Sequence, residues 1–315
     1  MTSVGEAWTT GRPWNPDALL LEKSSVGKPG RGRLNLRLAG LALNPVDHRL
    51  KQRWPIPLVG RCRLAFDFSG IVEEVGPGVT EWKPGDAVYG MAPPIGNGIS
   101  STVLQVSANW VARAPTSMPL SHAASVPLAG MTALQALRGM VGLREGQTLW
   151  INGASGGVGT FAVQLARNSG ANPWVTCSPD NNENLKQLGA TRMFNYRDGD
   201  FTEVPEKVDG VFDVRGYRST AECARVVRPG GWVITTEPHL NVVVHPALNP
   251  FRSVRRYAVV VRPSPRDLKD LAAWIDDGSL VPQIDSVFDW KELPEAYKRQ
   301  MSRKARGKIV VTAPS

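Results

Sequence analysis

Thr148-Leu149-Trp150-Ile151-Asn152-Gly153-Ala154-Ser155-Gly156-Gly157-Val158-Gly159 is the stretch on which the reading of the whole chain turns. Thr148–Ile151 is a short apolar run of the kind that forms a buried parallel strand. From Val158 to Arg167 the apolar residues Val158, Phe161, Ala162, Leu165 and Ala166 recur at helical spacing. A glycine-rich turn between a strand and a helix meets the needs of a dinucleotide's pyrophosphate. A small residue, here Ala154, allows the tight turn; Gly156 lets the backbone approach the phosphates; Gly159 lets helix and strand pack closely. The free N–H groups and partial positive charge of the helix N-terminus complete an anion site.

Outward from this turn the pattern stays α/β. Trp174–Cys177, Val211–Val214, Trp232–Thr235 and Ala258–Val261 read as further buried strands, with helices over Glu183–Leu188, Thr220–Val227 and Asp267–Ile275. Such alternation marks a doubly wound parallel sheet. Upstream the texture is β, with short strands at Leu34–Leu38, Ser69–Val75, Ala87–Tyr89 and Thr102–Val106. Gly76-Pro77-Gly78 and Lys83-Pro84-Gly85-Asp86 supply turns. The tail returns to β at Ile284–Phe288 and Lys308–Thr312 around a helix near Glu292–Met301. The expected division is therefore a β-rich domain over 1–119, an α/β domain over 120–277 inserted into it, and a β-rich remainder over 278–315.

The second α/β strand ends Val175-Thr176-Cys177-Ser178-Pro179, without the acid that holds ribose hydroxyls in NAD-binding folds about 20 residues past the glycine turn. Ser178 offers a hydroxyl to a 2′-phosphate, which favours NADPH over NADH, whereas Asp180 two residues on would repel it.

In composition, 37 Lys+Arg against 28 Asp+Glu leaves a net charge of +9. Neither Arg252, Arg255 and Arg256 nor the cluster Arg299, Arg303, Lys304, Arg306 and Lys308 has interleaved aromatics, and nucleic-acid signatures are lacking. A solvated basic surface accounts for them, and nucleic acid is not the expected partner. Three scattered cysteines, Cys62, Cys177 and Cys223, and four histidines at unrelated spacings give no disulfide framework and no zinc-ligand set. The absence of a signal-like start or a long apolar run leads to the expectation of a cytoplasmic protein with no membrane association.

Taken in order, Asn44-Pro45-Val46-Asp47, Phe68-Ser69-Gly70-Ile71-Val72, Lys83-Pro84-Gly85-Asp86-Ala87-Val88-Tyr89-Gly90, Pro127-Leu128-Ala129-Gly130-Met131-Thr132, the glycine turn and Arg306-Gly307-Lys308-Ile309-Val310-Val311 resemble the medium-chain dehydrogenase/reductase superfamily. The match is to its zinc-independent quinone oxidoreductase and enoyl reductase branch. The resemblance implies a Rossmann doubly wound sheet inserted in a GroES-like β-barrel domain, and hydride transfer from NAD(P)H to a quinone or an activated C=C bond. A homodimer is the family's common form.

Position by position, it implies that Asn44 and Asp47 line the nicotinamide cleft and that Thr132 contacts the cofactor. Ser155, Gly156, Gly157 and Val158 would hold the pyrophosphate. Ser178 and Tyr196 would approach a 2′-phosphate, Asn181 the adenosine ribose, and Lys308 the cofactor. His48 is the histidine nearest the expected cleft and is a candidate proton donor, against a plain surface or capping role. Trp54 is a candidate for the substrate mouth. Arg215, where relatives continue a Gly-rich turn, is a candidate clamp for a substrate carboxylate or phosphate. The alternative function is a nucleotide-binding protein of this fold with little catalysis, acting as a regulatory or RNA-binding factor.

Overall fold

The computed structural model describes residues 2–10, 14–53, 62–94, 98–237 and 248–314. The chain divides into two compact units, one made of 1–131, 262–278 and 282–315, the other of 132–261 and 279–281.

The first unit opens with β1 (Ser3–Thr10) and β2 (Leu20–Val26), an antiparallel pair joined by β4 (Cys62–Arg63) on the other side of β1. The long strand β3 (Arg33–Leu43) leads into helix α1 (Pro45–Arg53). β3 pairs antiparallel with β5 (Asp67–Val75), which in turn pairs with β6 (Ala87–Met91). β7 (Val103–Ser107) also pairs with β3, and β8 (Val111–Arg113) closes on β6. Leu34, Leu36, Leu41, Phe68 and Val88 are buried between these strands. Burying each such side chain contributes roughly 1.5–3 kcal/mol. Helices α2 (Leu120–Ala123) and α3 (Pro127–Leu134) follow.

The second unit is an all-parallel six-stranded sheet. In chain order its strands are β9 (Thr148–Asn152), β10 (Asn172–Cys177), β11 (Arg192–Asn195), β12 (Val208–Asp213), β13 (Val227–Thr235) and β14 (Arg255–Ala258). They lie side by side as β11-β10-β9-β12-β13-β14. This is the 3-2-1-4-5-6 order of a dinucleotide-binding sheet, whose strand order reverses between β9 and β12. Helices α4 (Gly157–Asn168), α5 (Asn182–Leu188) and α6 (Thr220–Cys223) connect the strands. One core cluster gathers Trp150, Val211, Val233, Cys223 and Val226, and the Trp150 indole donates to Thr176 Oγ1 at 2.8 Å.

The chain then adds α7 (Pro265–Asp276), β15 (Ile284–Asp289), α8 (Leu293–Met301) and β16 (Lys308–Thr312). β16 pairs antiparallel with β3 and so ties the C-terminal strand into the first unit's sheet.

The borders of the units differ from the expected 120–277. Tyr89 OH donates to the Leu268 carbonyl, and Asp276 Oδ1 accepts from the Thr116 and Ser117 N–H groups at 2.7 and 2.9 Å. These bonds assign α7 to the first unit. Residues 279–281 belong to the second through Gln164, whose side chain bonds both the carbonyl and the N–H of Val281. The fourth apolar run is also displaced: the strand forms over Arg255–Ala258, not Ala258–Val261.

Candidate functional site

Each unit carries its own polar constellation. In the second unit β9 ends at Asn152, and Gly153 turns the chain with φ +87°, a left-handed conformation that favours glycine. The tight turn thus rests on Gly153, one residue before Ala154. Gly156 N–H bonds the Gly153 carbonyl at 3.3 Å, and α4 starts at Gly157. Its N-cap is Gly156, which has no side chain to cap it, and the first turn carries no acid. The first N–H groups of α4 and its positive dipole end are therefore available to an anion. A Cβ at Gly159 would lie 2.3 Å from the Gly153 carbonyl oxygen, so helix and turn are in direct backbone contact there. At Gly156 the nearest atom to such a Cβ is 3.6 Å away, which leaves the turn's outer face open. Ser155, Gly157 and Val158 share this turn and are half-buried.

The same unit carries the other candidates Ser178, Asp180, Tyr196, Thr132 and Arg215. Ser178, at the tip of β10, is buried, and its Oγ accepts from the Asn181 amide at 2.8 Å. The Ser178 hydroxyl proton remains available for donation. Asp180 is exposed in the turn between them. Tyr196 is exposed just past β11, with the Arg197 guanidinium 5.9 Å from its ring centre. Thr132 is buried in α3. Arg215 is exposed beyond β12; its backbone N would lie 3.3 Å from a Cβ on Gly153, and its guanidinium sits 4.9 Å over the Tyr217 ring.

One residue at the β9/β12 reversal escapes a reading by motif. Asp213 is fully buried at the end of β12, where Oδ1 accepts from Asn152 Nδ2 at 2.9 Å and from Gly216 N–H at 3.0 Å. Its Oδ2 has no hydrogen-bond partner among the described residues. Burial pushes this carboxyl above its ordinary range, opposed by the Gly216 and Asn152 hydrogen bonds. Asp213 thereby fixes the 213–216 turn, and with it Arg215, beside the glycine turn.

In the first unit four buried side chains from three stretches of the chain are linked by hydrogen bonds. Asn44 Nδ2 donates to Asp67 Oδ2 at 2.9 Å, and Lys308 Nζ donates to Asn44 Oδ1 at 2.5 Å. Lys308 Nζ also lies 3.2 Å from Asp67 Oδ2, while Asp67 Oδ1 accepts from the Leu128 N–H at 2.8 Å. Asp47 Oδ2 accepts from the Asn44 N–H at 2.7 Å, so Asp47 shapes the entry to α1. Asn44, Asp47, Asp67 and Lys308 are all buried. Burial pushes the Asp67 carboxyl up, against the pull of the Lys308 ammonium and its hydrogen-bond donors. Asp67 precedes the Phe68–Val72 motif and carries no sequence signal of its own.

His48 is also buried, its ring centre 5.5 Å from that of Trp14, and its Nδ1 has no hydrogen-bond partner among the described residues. Burial, and then the charges of Arg49 and Arg303, lower its pKa to about 4. Such an imidazole is neutral near pH 7 and has no proton to spare, which disfavours the donor role suggested by its position in the chain. Trp54 lies outside the described residues.

Residues 188–311 match the family model described as zinc-binding dehydrogenase, and residues 30–116 that of the alcohol dehydrogenase GroES-like domain. The chain is 32% identical over 276 residues to the mitochondrial NAD(P)H oxidoreductase of Homo sapiens, covering 79% of this chain and 69% of that protein. It is 28% identical to the chloroplast envelope quinone oxidoreductase homolog of Arabidopsis thaliana over 91% of each. Identity to the 2-methylene-furan-3-one reductase of Solanum lycopersicum is 29%, over 97% of this chain and 78% of that one. The solved quinone oxidoreductase of Coxiella burnetii has the same fold, with a TM-score of 0.91 over 99% of this chain and 100% of that one, at 24% identity.

The described residues do not fit the zinc named in the first description. Among the described residues no three His, Cys, Asp or Glu side chains gather to hold a metal. Where the Asn44 amide and the Asp67 carboxylate converge, the cation is the Lys308 ammonium. No helix among the described residues is long and apolar enough to cross a membrane.

Proposed function

We propose that this chain, which belongs to the medium-chain dehydrogenase/reductase family in its zinc-independent quinone oxidoreductase and enoyl reductase branch, reduces quinones and activated C=C bonds with NADPH as its preferred cofactor. The observation that carries the reading is the glycine turn: an uncapped helix N-terminus at the reversal point of a 3-2-1-4-5-6 sheet, with Gly159 sealed against Gly153 and Gly156 open. A nicotinamide dinucleotide supplies the hydride when bound, for the β-carbon of an enone or a quinone ring.

The chain's own residues bind, orient and balance charge. The N–H groups of Ser155–Val158 hold the pyrophosphate, and Gly156 admits it. Ser178 and Tyr196 take the 2′-phosphate, with Asn181 at the ribose through its bond to Ser178. Thr132 and Lys308 contact the cofactor. Asn44, held by Asp47 and Asp67, lines the substrate cleft together with Asp47. Arg215 faces an acidic group of the substrate. Hydride addition leaves the electron pair on the substrate's oxygen, as an enolate or hydroquinone anion. A proton from solvent then completes the two-electron reduction. The protein works in the cytoplasm as a homodimer.

The test is oxidation of NADPH and NADH, followed by absorbance, with a panel of quinones and enones. Turnover of a quinone or an enone is the expected result; no turnover with either cofactor overturns the reading. Salt-dependent RNA binding that NADPH displaces, without reductase activity, would favour the regulatory alternative.

A further inference from the structure

The arginines at 252–256 are not all surface decoration. Arg255 is exposed and donates to the Gly230 carbonyl at 3.2 Å. Arg252 and Arg256, by contrast, join Arg225 around an open cavity of about 420 Å³ in the second unit. Ala224 and Val254 are among its lining residues, Val254 itself part of the Trp150 core cluster. Phe251, also in the lining, is 88% exposed, the most exposed of the large apolar side chains described.

The wall is pre-formed. Asn249 clamps the segment by accepting from the Arg256 N–H at 2.8 Å and donating to its carbonyl at 3.1 Å. The Arg256 guanidinium lacks a full set of partners: its Nε is closed to solvent and without a hydrogen bond among the described residues. The nearby acid, Glu222, accepts from the Ser219 N–H and hydroxyl at 2.8 and 2.7 Å, and its charge partly offsets those of Arg218 and Arg225. Residues 238–247, which precede this segment in sequence, contain no acid. Burial and the Arg252 charge both pull the Arg256 guanidinium below its ordinary value, so the wall concentrates positive charge at a cost in free energy.

We propose that this cavity is a second ligand site, separate from the glycine turn, for a phosphate monoester with an aromatic body, the chemistry of a mononucleotide. Guanidinium groups hold phosphate through paired N–H···O bonds, and a dianion suits a cavity that Arg225 and Arg256 line with an unpartnered Arg256 Nε. The Phe251 ring, with Ala224 and Val254, receives the uncharged part. A cavity of this size falls in the range of small-molecule sites.

The experiment is calorimetric titration of AMP into the full chain with NADPH already saturating, so that the glycine turn is filled; inorganic phosphate is the second probe. Expected is a saturable one-to-one event for AMP and a weaker one for phosphate. Each of Arg225→Gln and Arg256→Gln should weaken both by about tenfold. Phe251→Ala should weaken AMP several-fold while sparing phosphate. NADPH affinity and the unfolding midpoint, measured on each variant, show that the fold and the first site persist. AMP binding that NADPH abolishes, or that both arginine variants retain in full, overturns the proposal. So does the absence of any saturable event.

Discussion

Lys308 Nζ and Asp67 Oδ2 lie 3.2 Å apart, and both side chains are closed to solvent. They are 241 residues apart in the chain, one at the start of β16 and the other at the start of β5. Each is the main compensation for the other's charge, and Asn44 is bonded to both. Lys308→Met therefore leaves a buried carboxylate with hydrogen bonds but no counter-ion, at a cost of about 3–5 kcal/mol of folding stability. Lys308→Met combined with Asp67→Leu removes both charges and should regain most of that loss. Denaturant unfolding of wild type, single and double variants measures this. A single variant within 1 kcal/mol of wild type, a limit taken from surface ion pairs, would show that the pair contributes no more than an exposed one.

The buried His48 makes stability depend on acid. Its folded-state pKa, about 4, lies below the ordinary 6.5, so between those values the unfolded chain binds the proton and the folded one does not. The contribution is complete above pH 6.5 and is lost as pH falls towards 4, on the order of 3 kcal/mol in all. His48→Phe removes the titrating group and keeps a ring against Trp14. The stability difference between pH values above and below this window should shrink in the variant by roughly 2–3 kcal/mol. An unchanged difference would locate the acid sensitivity elsewhere.

What the sequence discloses and what it withholds follow from how local each interaction is. The glycine turn is legible because the backbone itself imposes the requirement: φ +87° at Gly153 and a 2.3 Å approach at Gly159 leave few residue choices. Strand β11 is not legible. It is an edge strand whose four residues are only half-buried, and Arg192 covers its aromatic surface at 4.5 Å from Trp174 and 4.8 Å from Phe194. β14 is an edge strand too, and the apolar run beyond it includes Val260, 64% exposed. The border at α7 is invisible to periodicity, since its apolar face would suit either unit; only the bonds of Tyr89 and Asp276 assign it. Asp67 and Asp213 are single acids beside apolar runs, and tertiary contacts alone reveal them.

Two glycines of the turn should separate packing from binding. A methyl group at Gly159 must displace the Gly153 carbonyl, so Gly159→Ala should lose about 1–3 kcal/mol of stability along with dinucleotide affinity. At Gly156 the nearest atom is 3.6 Å away and φ is −83°, so Gly156→Ala should fold with stability within about 0.5 kcal/mol of wild type. Its cost should fall on NADPH binding alone, because the methyl group occupies the face left open for the pyrophosphate. Thermal unfolding and NADPH titration on both variants check this. Equal affinity in Gly156→Ala and wild type would mean that the pyrophosphate lies elsewhere.

Asp180 offers the sharpest control of cofactor choice. It is exposed in the turn that follows β10, two residues beyond Ser178, and its carboxylate would oppose a 2′-phosphate bound at Ser178 as proposed. Asp180→Lys reverses that charge without touching the Ser178–Asn181 hydrogen bond. The ratio of NADPH to NADH affinity should rise by about tenfold or more, through the NADPH constant alone, since NADH has no phosphate to gain from the lysine. Because the new pair is exposed, the gain should shrink as added salt shortens the screening length. Titrating both cofactors into wild type and variant at low and high salt tests it. A ratio that does not move, or one that moves through NADH, would show that Asp180 does not face the ribose 2′ position.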